Sequence, residues 1–356
     1  MSPNSRRKQS KTLVVQLADL GDLILAAPAV RRLAEDPESD LTLLTKPSNE
    51  DLAKALGVET MLADKHLYDD PSSLFRLDVV AQLFGFVWRL RRQHFGRIVL
   101  LHHLTTRFGA LKFAALAILS GASVRSGIDN GRGWFLTDSK RDQGFGAANE
   151  EEYWNCLAGG AGLSELPRDE AAAATLLKTY RVTGSYAVLH PGSGEYSVAR
   201  RWPAEYFRTL AKALHEERGL TSLVVGGEGE RALARRVAPD ADHIMDVSGQ
   251  TDLATLVALL EGASVFVGNN AGVAQIAGAL ATPSVIIFGP TSPKTWHVAS
   301  AHSRALSLDL PCSPCLYHHF ELGTPGGCAT RECLTMLTPE MVAEAALQLL
   351  GHLVAA

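Results

Sequence analysis

The sequence predicts an α/β protein with two doubly wound parallel sheets, and three observations carry that expectation. Short runs rich in Val, Leu and Ile alternate with longer stretches of helical period, the pattern of βα units around a sheet buried on both faces. The chain has 356 residues, a length for two ordinary domains. A composition break over residues 165–183, with Pro167, an alanine run and scattered charges, separates two such series before a strong strand starts at Tyr186.

In the first series, strands are expected at 12–17, 41–45 and 97–101, and helices at 23–34, 77–93 and 106–119. In the second, strands are expected at 186–190, 222–225, 264–267 and 284–288, and helices at 204–217, 254–261 and 271–281. This reads as a loose tail over 1–10, a first domain over 11–180 and a second over 181–356. Ligands of open α/β sheets bind outside the carboxyl ends of the strands, so the loops after strands, facing each other across a cleft, are where chemistry is expected.

Composition excludes several classes. With 46% hydrophobic and 20% charged residues the chain is neither disordered nor fibrous. Its 34 Lys+Arg against 38 Asp+Glu give a net charge of −4, which argues against a protein that holds nucleic acid by neutralising phosphates. The basic start (Arg6, Arg7, Lys8, Lys11) is followed by only a short apolar run, 13–17, before Asp19 and Asp22, too little for a signal-peptide core. No apolar run reaches membrane-spanning length. A cytoplasmic protein with at most peripheral membrane contact is expected.

Four loops carry candidate chemistry. The first strand runs into Ala18-Asp19-Leu20-Gly21-Asp22, where Asp22 is either a helix cap or a general base. The second series opens with His190-Pro191-Gly192-Ser193-Gly194 and continues to Ala199-Arg200-Arg201-Trp202-Pro203. A Gly/Ser loop between strand and helix gathers backbone N–H groups, and Arg200 or Arg201 adds a cation suited to a diphosphate; the plainer reading is a surface turn with solvated arginines. Gly226-Gly227-Glu228-Gly229-Glu230 offers carboxylates to ribose or sugar hydroxyls. Gly268-Asn269-Asn270-Ala271-Gly272 ends one strand and opens a helix, a second phosphate-binding arrangement.

Leu20-Gly21-Asp22 followed by Pro28, His190-Pro191-Gly192 through Arg201-Trp202-Pro203, and Gly268 to Gly272 followed by Phe288-Gly289-Pro290-Thr291 together resemble glycosyltransferase family 9, which includes the heptosyltransferases. The resemblance implies a GT-B fold and inverting transfer of a sugar, usually from ADP-heptose, in lipopolysaccharide or glycan synthesis, without a catalytic divalent metal. It puts the general base on Asp22 and the cation that stabilises the leaving diphosphate on Arg200. Nucleotide-sugar contacts fall on His190, Gly192, Ser193, Arg201, Glu228, Asn270, Ala271, Gly272 and Gln275. The family's usual Asp-Thr/Ser-Gly and downstream His are here Asn270-Ala271-Gly272 and Gln275, which removes a charge and a hydroxyl. Two rival readings are a non-catalytic member that binds nucleotide-sugar or a partner, and a nucleotide-sugar epimerase on the same fold. The acceptor is a saccharide, a metabolite or a protein side chain, and a homo-oligomer is compatible with the sequence.

Four of the five cysteines fall within residues 312–333. Cys312-x2-Cys315-x12-Cys328-x4-Cys333, with Pro311, Pro314, Gly326 and Gly327 as turn residues, has the spacing of a four-thiolate metal site; free buried thiols or disulfides are the alternative. Such ligation suits structural zinc or iron. The segment 311–334 resembles the iron-binding cysteine finger of the autotransporter heptosyltransferases. Cys156 stands apart and is expected as a small core residue.

Overall fold

A computed structural model describes residues 10–37, 39–63, 77–161, 165–194, 196–238 and 242–355. The tail expected over 1–10 lies, apart from Ser10, outside the described residues. The chain forms two compact units: the first closes at Gly144 and takes in Glu150–Glu165, and the second takes in Phe145–Asn149 and everything from Leu166.

The first unit contains β1 (Ser10–Val15), α1 (Leu20–Ala34), β2 (Ser39–Thr45), α2 (Glu50–Ala55), β3 (Glu59–Leu62), α3 (Leu77–Arg92), β4 (Arg97–Leu100), α4 (Arg107–Leu119), β5 (Val124–Asp129), β6 (Asp138–Arg141) and α5 (Glu150–Ala158). Its parallel sheet has the order β3-β2-β1-β4-β5-β6. Leu13, Val15, Ile98 and Leu100 of the central strands pack on Phe86 and Leu90 of α3 and on Ala110, Ala114 and Ala117 of α4. Each large side chain buried in this way contributes about 2 kcal/mol.

The second unit contains α6 (Glu170–Thr179), β7 (Tyr186–His190), α7 (Ala204–Arg218), β8 (Thr221–Val224), α8 (Arg231–Val237), β9 (Ile244–Asp246), α9 (Leu253–Glu261), β10 (Val265–Asn269), α10 (Gly272–Ala279), β11 (Ser284–Ile287), α11 (Pro293–Trp296), β12 (Ser303–Leu306), α12 (Glu332–Thr335) and α13 (Pro339–Ala355). Its parallel sheet runs β12-β11-β10-β7-β8-β9, the same winding as the first. Leu189, Val265, Val267 and Ile287 meet Phe207, Leu210 and Leu214 of α7 and Val342 and Ala346 of α13. Gly219, left-handed at φ 65°, ends α7, a conformation that glycine adopts without a Cβ penalty.

The expected boundary near 180 moves to 165. Helix α6 packs on α9, Asp169 N donates to Ala254 O at 3.1 Å and Arg168 pairs with Glu261 at 3.0 Å, so the alanine-rich stretch belongs to the second unit. The alanine run reads as a linker because it offers little apolar contrast. The strands absent from the sequence expectation include all four edge strands, β3, β6, β9 and β12. An edge strand lacks the two buried faces that write a continuous apolar run, and β6 is exposed along its length. Cys156 is exposed on α5 and is not a core residue.

Each winding reverses at one switch point, between β1 and β4 in the first unit and between β7 and β10 in the second. In such sheets the crevice beyond these strand ends is the ligand position. Register puts Val15 beside Leu100 and Gly268 beside His190, so the loops after the paired strands emerge together.

Candidate functional site

In the first unit, the loop after β1 is strapped from several sides. Gln16 Nε2 donates to Leu101 O at 3.0 Å while its Oε1 accepts from Ala18 N at 3.0 Å. Leu17 N donates to His102 Nε2 at 2.8 Å, and Asn49 Nδ2 donates to Ala18 O at 3.1 Å. Burial, then the neighbouring His103, Lys112 and Lys46, lower the His102 pKa to about 3, which keeps the acceptor nitrogen unprotonated. Asp22 lies in the first turn of α1, half-buried, and its Oδ2 accepts from Asp19 N at 3.0 Å. The capping role is thus present, and it fixes the carboxylate at the switch-point loop. Asp19 itself pairs with Lys46.

The sequence reading missed a buried charge cluster on the loop after β4. His103 Nδ1 lies 3.0 Å from Asp142 and Nε2 lies 3.0 Å from Glu150. Burial opposes the charged ring, but the Glu150 and Asp142 carboxylates outweigh it and raise the pKa to about 9. Asp142 also accepts from Asn130 Nδ2 at 3.2 Å and Gly144 N at 2.8 Å, and the rings of Tyr153 and Trp154 stand edge-on to His103. The only local signal was a pair of histidines directly after a strand.

In the second unit, the predicted residues after β7 and β10 come together. Asn269, fully buried at the end of β10, donates to Pro191 O at 2.8 Å and Gly192 O at 3.1 Å, while its Oδ1 accepts from Trp202 N at 3.0 Å. Arg200 donates to Ser193 O at 2.8 Å and Asn270 O at 3.0 Å, and Arg201 to Ser193 Oγ at 3.1 Å and Gly194 O at 2.9 Å. Both guanidinium groups therefore brace the loop, and neither is a solvated surface arginine. Arg200 Nε and His190 Nδ1 are buried without hydrogen-bond partners.

A carboxylate holds the place expected for an anion. Glu230 Oε1 accepts from Ser193 N and Gly194 N, each at 3.0 Å, and Oε2 lies 3.1 Å from Gly227 N and 3.2 Å from His190 Nε2. Burial opposes its charge, yet His190 and the Gly227 and Gly194 N–H groups hold its pKa down to about 2. A Cβ at Gly192 would stand 2.0 Å from Glu230 Oε1, so this approach requires glycine. Glu228 is not part of this arrangement; it pairs with Arg231 at 3.1 Å.

Ala271, at the cap position of α10, offers no side-chain oxygen to the helix N–H groups. Beside it, Asn270 Nδ2 donates to Thr291 Oγ1 at 2.9 Å, and Gln275 Nε2 reaches Asn270 Oδ1 at 3.4 Å and Trp296 O at 2.8 Å. Asn270, Gln275 and Thr291 thus form one neutral, buried network beside Gly272, the first residue of α10.

The cysteine segment props these loops. Cys315 N and Leu316 N donate to Pro290 O at 2.9 and 2.8 Å, whereas Pro325 O accepts from Ser197 Oγ at 2.9 Å and Ala199 N at 3.3 Å. Burial, then the nearby Cys315, Cys328 and Cys312, push the Cys333 thiol up to about 11. All are free thiols, and among the described residues no group of three or more His, Cys, Asp or Glu stands at metal-binding spacing. The closed four-thiolate geometry expected from spacing is not formed by these side-chain positions, although the donor set itself suits zinc or iron.

Two doubly wound parallel sheets, each with built loops at its switch point, define the GT-B class of glycosyltransferase architecture. Residues 88–323, two thirds of the chain, match glycosyltransferase family 9 (heptosyltransferase), and the chain belongs to that family; Asp22 lies before the matched stretch. It is 32% identical over 154 residues to lipopolysaccharide heptosyltransferase 1 of Pseudomonas aeruginosa, covering 41% of this chain and 43% of that protein. The chain thus spans less than half the length of this curated relative. The structure of ADP-heptose lps heptosyltransferase II of E. coli superposes with a TM-score of 0.71 at 19% identity, covering 96% of this chain and 99% of that one. The iron-containing dodecameric glycosyltransferase TibC of enterotoxigenic E. coli H10407 superposes with a TM-score of 0.62 at 13% identity, covering 97% of this chain and 77% of that one.

Proposed function

We infer that the protein is an inverting glycosyltransferase that moves heptose from ADP-heptose to an acceptor hydroxyl. The observation that carries this reading is the second unit's switch point, where Asn269, Arg200 and Arg201 brace the loop after β7 beside the uncapped start of α10, in a chain of family 9. The curated relatives are lipopolysaccharide and lipooligosaccharide heptosyltransferases, which supports heptose and a saccharide acceptor.

In this reading the first unit binds the acceptor and the second the donor. The diphosphate lies at the start of α10, where Gly272 admits close approach and Arg200 supplies positive charge. Asp22 takes the proton of the acceptor hydroxyl as its oxygen attacks the anomeric carbon. The bond from that carbon to the diphosphate breaks, ADP leaves with the electron pair, and Arg200 stabilises the charge that develops. Inversion follows from a single displacement. His190, Gly192, Ser193 and Arg201 shape the donor loop, and Asn270, Ala271 and Gln275 give a neutral wall that reads sugar hydroxyls by hydrogen bonds.

The cysteine segment completes the reading. Cys312, Cys315, Cys328 and Cys333 would hold a structural zinc or iron, which draws the thiolates together and stiffens a segment bonded to Pro290, Ser197 and Ala199. It takes no part in the transfer step.

The test is calorimetric titration with ADP, UDP and GDP sugars, followed by an assay of ADP release with and without acceptor. Preference for ADP-heptose and acceptor-dependent release are expected. Absence of binding would point to a non-catalytic member, and a sugar isomer formed without acceptor would point to an epimerase.

A further inference from the structure

The outer surface of the first unit carries apolar side chains that no fold or site requirement explains. Helix α3 buries Val79, Phe86 and Leu90, which recur on one face at helical spacing. Its opposite face presents Phe84, 73% exposed, and Trp88, 59% exposed, one turn apart. Helix α4 repeats the arrangement: Ala110, Ala114 and Ala117 face the core, while Phe108 and Leu111 point outward, Leu111 with 59% exposure. The two helices touch each other and cover the same face of the sheet, packing on Leu13, Val15, Ile98 and Leu100, so their outward faces lie side by side.

Five of the six charges on these helices are basic. Arg89, Arg91 and Arg92 end α3, Arg107 and Lys112 are the charged residues of α4, and Asp78 is the single acidic residue of the pair. A protein of net charge −4 has therefore placed a basic, aromatic face on two adjacent helices. The Arg92 guanidinium lies 4.5 Å over the Trp88 ring and Lys112 Nζ lies 5.3 Å over the Phe108 ring, which keeps the cations level with the apolar surface.

We propose that the α3–α4 face is a docking surface for an anionic lipid bilayer, lying in the plane of the interface with Phe84, Trp88, Phe108 and Leu111 inserted and the basic residues at headgroup level. Aromatic and aliphatic side chains partition into the headgroup boundary, and each nearby Lys or Arg adds electrostatic attraction to anionic lipid. Among the described residues no helix is long and apolar enough to cross a membrane, so the contact is interfacial. A second copy of the chain fits less well, because pairing this face with itself opposes like charges. The inference does not depend on the transfer reaction.

The experiment is cosedimentation of the full chain with vesicles of phosphatidylcholine alone, and with phosphatidylcholine plus phosphatidylglycerol, at low and high ionic strength. Binding to phosphatidylglycerol vesicles about tenfold or more above phosphatidylcholine, weakened by salt, is expected. The double variant Phe84→Ser/Trp88→Ser should bind at least about tenfold more weakly with an unchanged melting temperature, since both side chains are exposed. Failure of the wild type to sediment with anionic vesicles would overturn the proposal, as would undiminished binding by the variant. A wild-type oligomer that this variant converts to monomer would assign the face to self-association instead.

Discussion

Glu230 and Ser193 are joined by a hydrogen bond of 3.0 Å from the Ser193 backbone nitrogen to a carboxylate oxygen, so the anion-ready loop after β7 already holds an anion from its own chain. The same carboxylate accepts from Gly194 N and meets His190. Glu230 is thereby an internal strut of the candidate donor site. Its pKa, held at about 2, means that its contribution is complete above the ordinary value of 4.5 and is lost as pH falls through about 2. Glu230→Gln should lower stability at pH 7 by roughly 2 kcal/mol, allowing for partial exposure, with the gap to wild type narrowing toward acid pH. Urea denaturation of both proteins across that range measures it. Equal stability at pH 7 would remove the strut.

His103 gives the opposite pH dependence. Its pKa is raised from 6.5 to about 9, so its stabilisation is complete below 6.5 and fades as pH rises through about 9. His103→Gln should cost roughly 3 kcal/mol at pH 6 and much less at pH 10. The Gln variant leaves Asp142 and Glu150 without the cation between them. A pH-independent difference would show that packing, and not charge, is what His103 supplies.

Asp22 has both a capping and a proposed chemical role, and Asp22→Asn separates them. Asn can still accept from Asp19 N, so the melting temperature should move little. Loss of the base should lower kcat by about 10²–10⁴ with donor affinity retained. Full activity in this variant would move the base elsewhere.

Arg200 spans two backbone carbonyls, Ser193 O and Asn270 O. Arg200→Ala should lower kcat by about 10²-fold or more and weaken ADP binding, through lost charge and a loosened loop. Arg200→Lys keeps the charge but not the two-armed contact, and should recover part of kcat with donor KM still raised. Steady-state kinetics on both variants distinguishes charge from positioning.

For the cysteine segment, protein purified without chelator is expected to contain about one zinc or iron per chain. Cys328→Ser and Cys333→Ser should each reduce that content, lower the melting temperature and raise the donor KM, because the segment bonds to the residues around Pro290 and Ala199. Metal analysis and thermal unfolding read this directly. A metal content near zero in wild type would leave the four thiols as a purely packed loop.

The central strands were legible because burial on both faces writes an uninterrupted apolar run; Tyr186–His190 agrees residue for residue with its expectation. The loops after β1, β7 and β10 were legible because Gly, Ser and Asp directly after a strand carry local turn chemistry. Edge strands and the alanine-rich α6 were not, since neither presents a strong apolar contrast. Glu228 and Glu230 have similar neighbours in sequence, and only their rotation about the start of α8 decides that Glu230 reaches Ser193 while Glu228 meets Arg231.

By itself the sequence determined the two α/β units, the order of their strands' apolar runs, the family and the glycine-bearing loops after β1, β7 and β10. All of these follow from periodicity and short-range turn geometry, which act over a few residues. The tertiary structure alone decided that Arg200 and Arg201 brace a loop, that Glu230 fills it, that Asp142 and Glu150 enclose His103, and that the exposed faces of α3 and α4 lie together. Those outcomes depend on groups separated by tens of residues whose burial and charge become defined only when the sheet brings their strand ends side by side.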